Sequence, residues 1–175
     1  MLKMLKMAHR TSRHQQYGAA AVEFALIAML FFTLLFGILE FGRLFYIYNT
    51  VQEVTRRAAR EAVVNNINET DSNPAKGLAL FGGTSLPAGV EIKVANIKIE
   101  YLNASGVPLT GTSLPGNAEE NLSACLVGPA GCITFVRVSI TGATYAPMVG
   151  LFTFFSVPIP ASTVTMPAES LGYGS

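Results

Sequence analysis

The chain has 175 residues, with 12 Lys or Arg against 11 Asp or Glu, a net charge of +1, and 50% hydrophobic residues without tryptophan. This length suits one modest domain with an appended segment. The near-neutral balance argues against a nucleic-acid surface, and no repeat period or low-complexity tract points to a solenoid or array.

Charge is nevertheless placed unevenly. Lys3, Lys6, Arg10 and Arg13 lie before Gly18 with no acid among them, so the remainder of the chain holds 8 basic against 11 acidic groups. Residues 1–17 read as a basic leader that meets anionic headgroups. His9 and His14 belong to this leader and have no cysteine or carboxylate beside them to complete a metal site, so they read as solvated tail residues.

Residues 18–39 read GAAAVEFALIAMLFFTLLFGIL, in which Glu23 is the one charge before Glu40. From Ala19 to Leu39 there are 21 residues, and at a rise of about 1.5 Å each they reach the roughly 30 Å thickness of a bilayer's hydrocarbon core. The basic flank predicts that the N-terminus stays in the cytoplasm and the rest crosses. A cleavable secretory signal would end in a small-x-small pattern after the apolar core, whereas Glu40, Phe41, Gly42 and Arg43 follow here. A carboxylate within such a span costs about 2.5 to 3.5 kcal/mol at mid-membrane and less near an edge. Glu23 therefore either snorkels to the interface or has a task.

A glycine, four residues, a glutamate and then an apolar helix resembles the type IV prepilin processing site. That resemblance implies cleavage between Gly18 and Ala19, with Glu23 becoming the fifth residue of the mature chain. Glycine suits a scissile position because it presents no side chain to a protease. The wording GAAAVEFALIAMLFF, the following Glu40-Phe41-Gly42-Arg43, an unbroken polar helix after it and Glu169 near the C-terminus resemble the TadE-like minor pilins, or pseudopilins, of the tight-adherence (Flp) type IV pilus system. The specific part covers about residues 17–64, and the middle of the chain has no matching motif.

The resemblance implies a single-pass protein of the bacterial inner membrane that assembles or primes a pilus and can enter it. Its implied partners are a prepilin peptidase, other minor pilins, the major pilin, the assembly platform and membrane lipid, with no nucleic acid. Within that setting Glu23 would pair with the new ammonium at Ala19 of a neighbouring subunit, neutralising both in a low-dielectric bundle. The departure is the part beyond the span, about 135 residues, for which the resemblance specifies no task.

The helix is expected to continue past the span. Between Glu40 and Val64 there is no proline, and Leu44, Ile47, Val51, Val54, Ala58 and Ala62 recur at three- and four-residue steps. Glu53 with Arg57, and Arg57 with Glu61, can pair along other faces. Tyr46 and Tyr48 stand where an aromatic belt is expected. Arg56, Arg57 and Arg60 form either a solvated face or a docking face.

Residues 65–89 read as a loop with Pro74, Gly77, Gly82, Gly83, Pro87 and Gly89 as breakers. Val90, Ile92 and Val94 alternate with charged residues, then Ile97, Ile99 and Tyr101 alternate in the opposite parity, which predicts one strand with a bulge near Ala95 and Asn96. A turn over 103–106 leads to a short edge strand over 107–109. Cys125 and Cys132, the only cysteines, read as an exported disulfide, since a metal site needs more ligands and a redox pair usually has two residues between its cysteines. Val136, Val138 and Ile140 give a clean strand. The apolar stretch 145–155 is too short to span a membrane and reads as a short helix or crossover packed under the domain, with an exposed assembly patch as the alternative. A last strand is expected over 162–166.

The expected fold class is α+β and pilin-like: a long N-terminal helix, its first half membrane-spanning, packed on a small antiparallel β-sheet. The organisation is a leader over 1–18, a transmembrane segment over 19–39, the helix continuation over 40–64 and an extracytoplasmic α+β domain over 65–175. Sequons at Asn68, Asn103 and Asn121 read as chance triplets. No nucleophile elbow occurs and no histidine follows Gly18, so no catalytic, cofactor or metal residue is assigned and the chain is not expected to be an enzyme. The competing reading is a membrane-anchored extracytoplasmic binding module or adhesin that never enters a filament.

Overall fold

The structure is a computed structural model and describes residues 14–67 and 73–173, with side chains from Gly18 onward. The leader assigned to residues 1–18 and the sequon at Asn68 therefore lie almost wholly outside the described residues. Helix α1 runs His14–Val64, and the chain divides after Leu39 into two units. In the first unit every large apolar side chain from Val22 to Leu39 is exposed.

The second unit is α+β. After Glu40 the stripe on α1 turns inward: Ile47, Val51, Val54, Ala58 and Ala62 are buried, joined by Thr55, Ala59 and Val63. Thr55 satisfies its hydroxyl by donating to the Val51 carbonyl at 2.8 Å. Facing this stripe is an antiparallel sheet of β3 (Ile97–Leu102), β4 (Phe135–Ile140) and β7 (Ser162–Pro167), with β4 central. Register puts Ile97 opposite Ile140, Ile99 opposite Val138 and Tyr101 opposite Val136. Because side chains alternate along a strand, these six share one face and enter the helix-side core, while Lys98, Glu100 and Arg137 share the other. On that outer face Lys98 Nζ lies 2.7 Å from Glu100 Oε1. Each fully buried Val or Ile contributes about 1.5 to 3 kcal/mol by leaving water.

Four segments differ from expectation. The span 65–89 is not all loop: α2 covers Pro74–Ala79, because Asn73 accepts from the Ala75 N–H at 2.8 Å and Pro74 occupies the first turn, where no donor is needed. It is followed by a hairpin of β1 (Ser85–Leu86) and β2 (Gly89–Lys93). The bulge expected at Ala95 and Asn96 is a full break, a 3-10 turn over Val94–Asn96 that separates β2 and β3 into different sheets. Asn96 fixes that break by accepting from the Lys93 N–H at 2.9 Å and donating to the Thr141 carbonyl at 3.2 Å.

The edge strand expected over 107–109 shrinks to a single bridge between Leu102 and Pro108. Asn103 Oδ1 accepts from the N–H groups of Ser105 and Val107, both at 3.0 Å, and so takes donors that a strand would use. The stretch 145–155 is not packed under the domain. Tyr145 is buried, but Met148, Leu151, Phe154 and Phe155 are exposed, in a loop between β5 (Thr144–Tyr145) and β6 (Val157–Pro158). A third helix, α3, spans Ala118–Val127 and is capped by Asn117, which accepts from the Glu120 N–H.

The C-terminal segment closes the end of α1. The Val63 carbonyl accepts from the N–H groups of Glu169 and Leu171, and the Val64 carbonyl from Gly172 N–H at 2.9 Å and the Ser170 hydroxyl at 3.0 Å. These carbonyls have no partner inside the helix, so the tail supplies what the helix cannot. Gly172 adopts φ of +83°, and a Cβ there would lie 1.9 Å from Asn66 Oδ1. Gly172→Ala should therefore destabilise the fold by well over about 1 kcal/mol. Gly142→Ala, at φ of +72° but with nothing within 4 Å, should cost only about 1 to 2 kcal/mol. Thermal unfolding of the two variants in mild detergent separates collision from backbone strain; equal melting temperatures would remove the role assigned to the tail.

Candidate functional site

The first group of site residues lies on the apolar part of α1. Gly18 has nothing within 4 Å of where a Cβ would stand, and Ala19 and Glu23 are both exposed. Ala19 and Glu23 are four residues apart on one helix, which puts them on one face. The Glu23 carboxylate is thus presented outward from its own chain, on a helix long and apolar enough to cross a membrane.

A second group, in the unit that begins at Glu40, was not visible in the sequence as a cluster. Glu40 is nine-tenths buried. Its carboxylate accepts from the Tyr145 hydroxyl and, at 2.7 Å, from the Val149 N–H. One turn on, Arg43 donates to the carbonyls of Ala88 at 3.0 Å and Ala146 at 2.9 Å and forms an ion pair with Glu91. Its guanidinium also lies 4.9 Å from the centre of the Tyr145 ring. Two chain segments distant in sequence, the β1–β2 hairpin at Ala88 and Glu91 and the stretch 145–149, are thereby tied to one turn of α1.

The electrostatics follow from burial and hydrogen bonding. Burial is the largest influence on Glu40 and disfavours its charge, but hydrogen bonds from Tyr145 and from the Val149 and Met148 N–H groups, with the Arg43 charge, outweigh it and lower its pKa. Burial and the bond to Glu40 push Tyr145 up to about 12. For Arg43 the Glu91 carboxylate overcomes burial and holds the guanidinium charged. This is an arrangement that fixes chain segments to one turn of α1.

Cys125, on the last turn of α3, is bonded to Cys132, with Cα atoms 4.5 Å apart. By the chain-entropy estimate such a short closure contributes about 2 to 3 kcal/mol. Asn121, the preceding turn's residue, accepts from the Ile133 N–H at 2.7 Å, so the same crossing is held twice. That bond, and the turn bonds of Asn103, mean that two of the three sequon side chains are engaged within the fold. Among the described residues no group of histidine, cysteine, aspartate and glutamate is arranged to hold a metal ion.

Residues 18–60 match the model of the TadE family, described as TadE-like protein. That segment is TadE-like. The matched segment contains Gly18, Glu23, Glu40 and Arg43 together, and it links the chain to the Tad pilus system. Comparison with curated proteins and with solved structures gave no match.

Within this TadE-like segment the sequence did contain a signal for the second group. Counting back from Leu44 and Ile47 in steps of three and four reaches Glu40, so a charged residue stands on the inward stripe. Such a residue must find partners, because an unpaired buried charge is costly. Which partners could not be read, since Tyr145 and Val149 lie 105 and 109 positions away in sequence.

Two measurements test this geometry. Tyr145→Phe removes a donor to a buried carboxylate and should cost about 1.5 to 3 kcal/mol in unfolding experiments near neutral pH. The lowered Glu40 pKa contributes stability that is present above its ordinary value and lost as pH falls through the folded value. The raised Tyr145 pKa contributes stability that is present below about 10 and lost as pH rises through about 12. The variant should lose this alkaline contribution and weaken the acid one; an unchanged pH profile would remove the coupling. Separately, alkylation without reduction, read by mass spectrometry, should leave Cys125 and Cys132 unlabelled, and quantitative labelling of either would contradict the bond.

Proposed function

We propose that this protein is a minor pilin, or pseudopilin, that assembles or primes a tight-adherence (Flp) pilus after a prepilin peptidase cuts between Gly18 and Ala19. The observation that supports the reading most directly is the TadE-like match beginning at Gly18 itself. Glu23 faces outward four residues beyond Ala19, as the one charged side chain between Gly18 and Leu39. In a packed bundle of such helices its carboxylate pairs with the ammonium at Ala19 of a neighbouring subunit. Both charges are otherwise expensive in a low-dielectric setting, so the pair selects a register between subunits as well as removing the penalty. The N-terminus remains in the cytoplasm before cleavage, the inner membrane holds the helix, and the α+β unit meets other minor pilins and the major pilin above the assembly platform. The chain acts by packing, with no catalytic step of its own.

The mature N-terminus in the native membrane tests this: Ala19 is expected, and retention of Met1 would favour an anchored module outside any filament. Gly18→Val puts a branched side chain into open space, so it should leave the fold and insertion intact while the leader stays attached. Glu23→Ala should insert as well as the parent or better, because it removes a charge from the span, and should be recovered with much less of its pilin partners. Normal processing of the first variant, or parental co-purification of the second, would refute the corresponding half of the proposal.

A further inference from the structure

From Val138 to Ala168 the chain has 31 residues without a single charged side chain. Within this stretch the loop 146–156 exposes Met148 at 76%, Leu151 at 51% and Phe154 at 82%. Exposed apolar side chains gathered in one loop mark a surface that is covered by something else. The loop's anchorage identifies what. The Val149 N–H binds Glu40 and the Ala146 carbonyl binds Arg43, so the first residues of the loop are held at the turn of α1 that follows Leu39. A span of 21 residues from Ala19 to Leu39 fills the hydrocarbon thickness, which puts Glu40 at the headgroup level.

We propose that the loop 146–156 is a membrane-interface anchor, in which Met148, Leu151 and Phe154 enter the lipid headgroup and upper acyl region at the level of Glu40. The proposal rests on the reading of residues 19–39 as membrane-spanning. Lipid is the occupant because the loop is fastened to the residue at the boundary, and because an uncharged aromatic and aliphatic loop meets no desolvation penalty there. Glu40 and Arg43 then have a second consequence: by holding the loop they fix the height of the α+β unit at the membrane surface. A loop that must leave the interface when a subunit is extracted into a filament would also oppose extraction.

Since the protein has no tryptophan, single introduced tryptophans report each position separately. Full-length variants Phe154→Trp, Met148→Trp, Phe31→Trp and Tyr173→Trp are reconstituted in phosphatidylethanolamine–phosphatidylglycerol vesicles, with or without bromine on the acyl chains near the headgroup. Phe154→Trp and Met148→Trp replace exposed side chains and leave the core intact. The expected result is blue-shifted emission for both and loss of most of it in brominated lipid, with Phe31→Trp quenched as a span position and Tyr173→Trp unquenched. If Phe31→Trp is quenched while both loop variants behave like Tyr173→Trp, the anchor is wrong and the span stands. Blue-shifted loop emission that bromine leaves untouched means that protein covers the loop, which also overturns the proposal. If Phe31→Trp itself is unquenched, the membrane-spanning reading fails and the anchor falls with it.

Discussion

The fold of the second unit depends on burying one face of α1. From Ile47 to Val63 that face is apolar except for Thr55, whose hydroxyl is satisfied within the helix, and an isolated helix in water could not hold it exposed without loss of the dominant stabilising term. The sheet supplies the cover. Its central strand, β4, presents Val136, Val138 and Ile140 on one face, and the alanines at 58, 59 and 62 leave room for the strands to come close. Gly89 follows the same logic at the hairpin, where a Cβ would lie 2.9 Å from Leu86 and 3.2 Å from Ile47.

Two devices hold the ends of that packed region, and they differ in chemistry. At the Val64 end, backbone donors of the C-terminal segment satisfy helix carbonyls. At the Glu40 end the contacts come from side chains, with a buried carboxylate and a guanidinium gathering two segments of distant sequence. Buried ion pairs add little net stability against an apolar alternative, but they are demanding about geometry. That makes the Glu40–Arg43 turn better suited to fixing which segments sit there than to strengthening the fold overall.

The TadE-like match covers residues 18–60 and so includes both the outward Glu23 and the inward Glu40. The two carboxylates illustrate opposite uses of a charge on one helix. Glu23 is exposed on its own helix, which suits an intermolecular role. Glu40 is satisfied within its chain, which suits a structural one. Helix α3, with its exposed Leu122, Leu126 and Val127, is tied to the segment before β4 by Asn121 and the disulfide.

What the sequence by itself determined was everything written in local periodicity. The apolar run, the three- and four-residue stripe of α1, the alternation in β4 and the pairing of the only two cysteines are each set by neighbours within a few positions, and the α+β class follows from them. The tertiary structure alone decided what depends on distant partners. Asn96 broke an apparent bulged strand because Thr141 was there to receive it, and Asn103 consumed the donors of an expected edge strand. The apolar stretch 145–155 looked like core, yet only Tyr145 turned inward, because Glu40 and Arg43 had claimed its hydroxyl and the adjoining backbone and left the other side chains facing out. Hydrophobicity along a chain specifies which side chains must leave water, while the partner that covers them is fixed only when segments far apart in sequence meet.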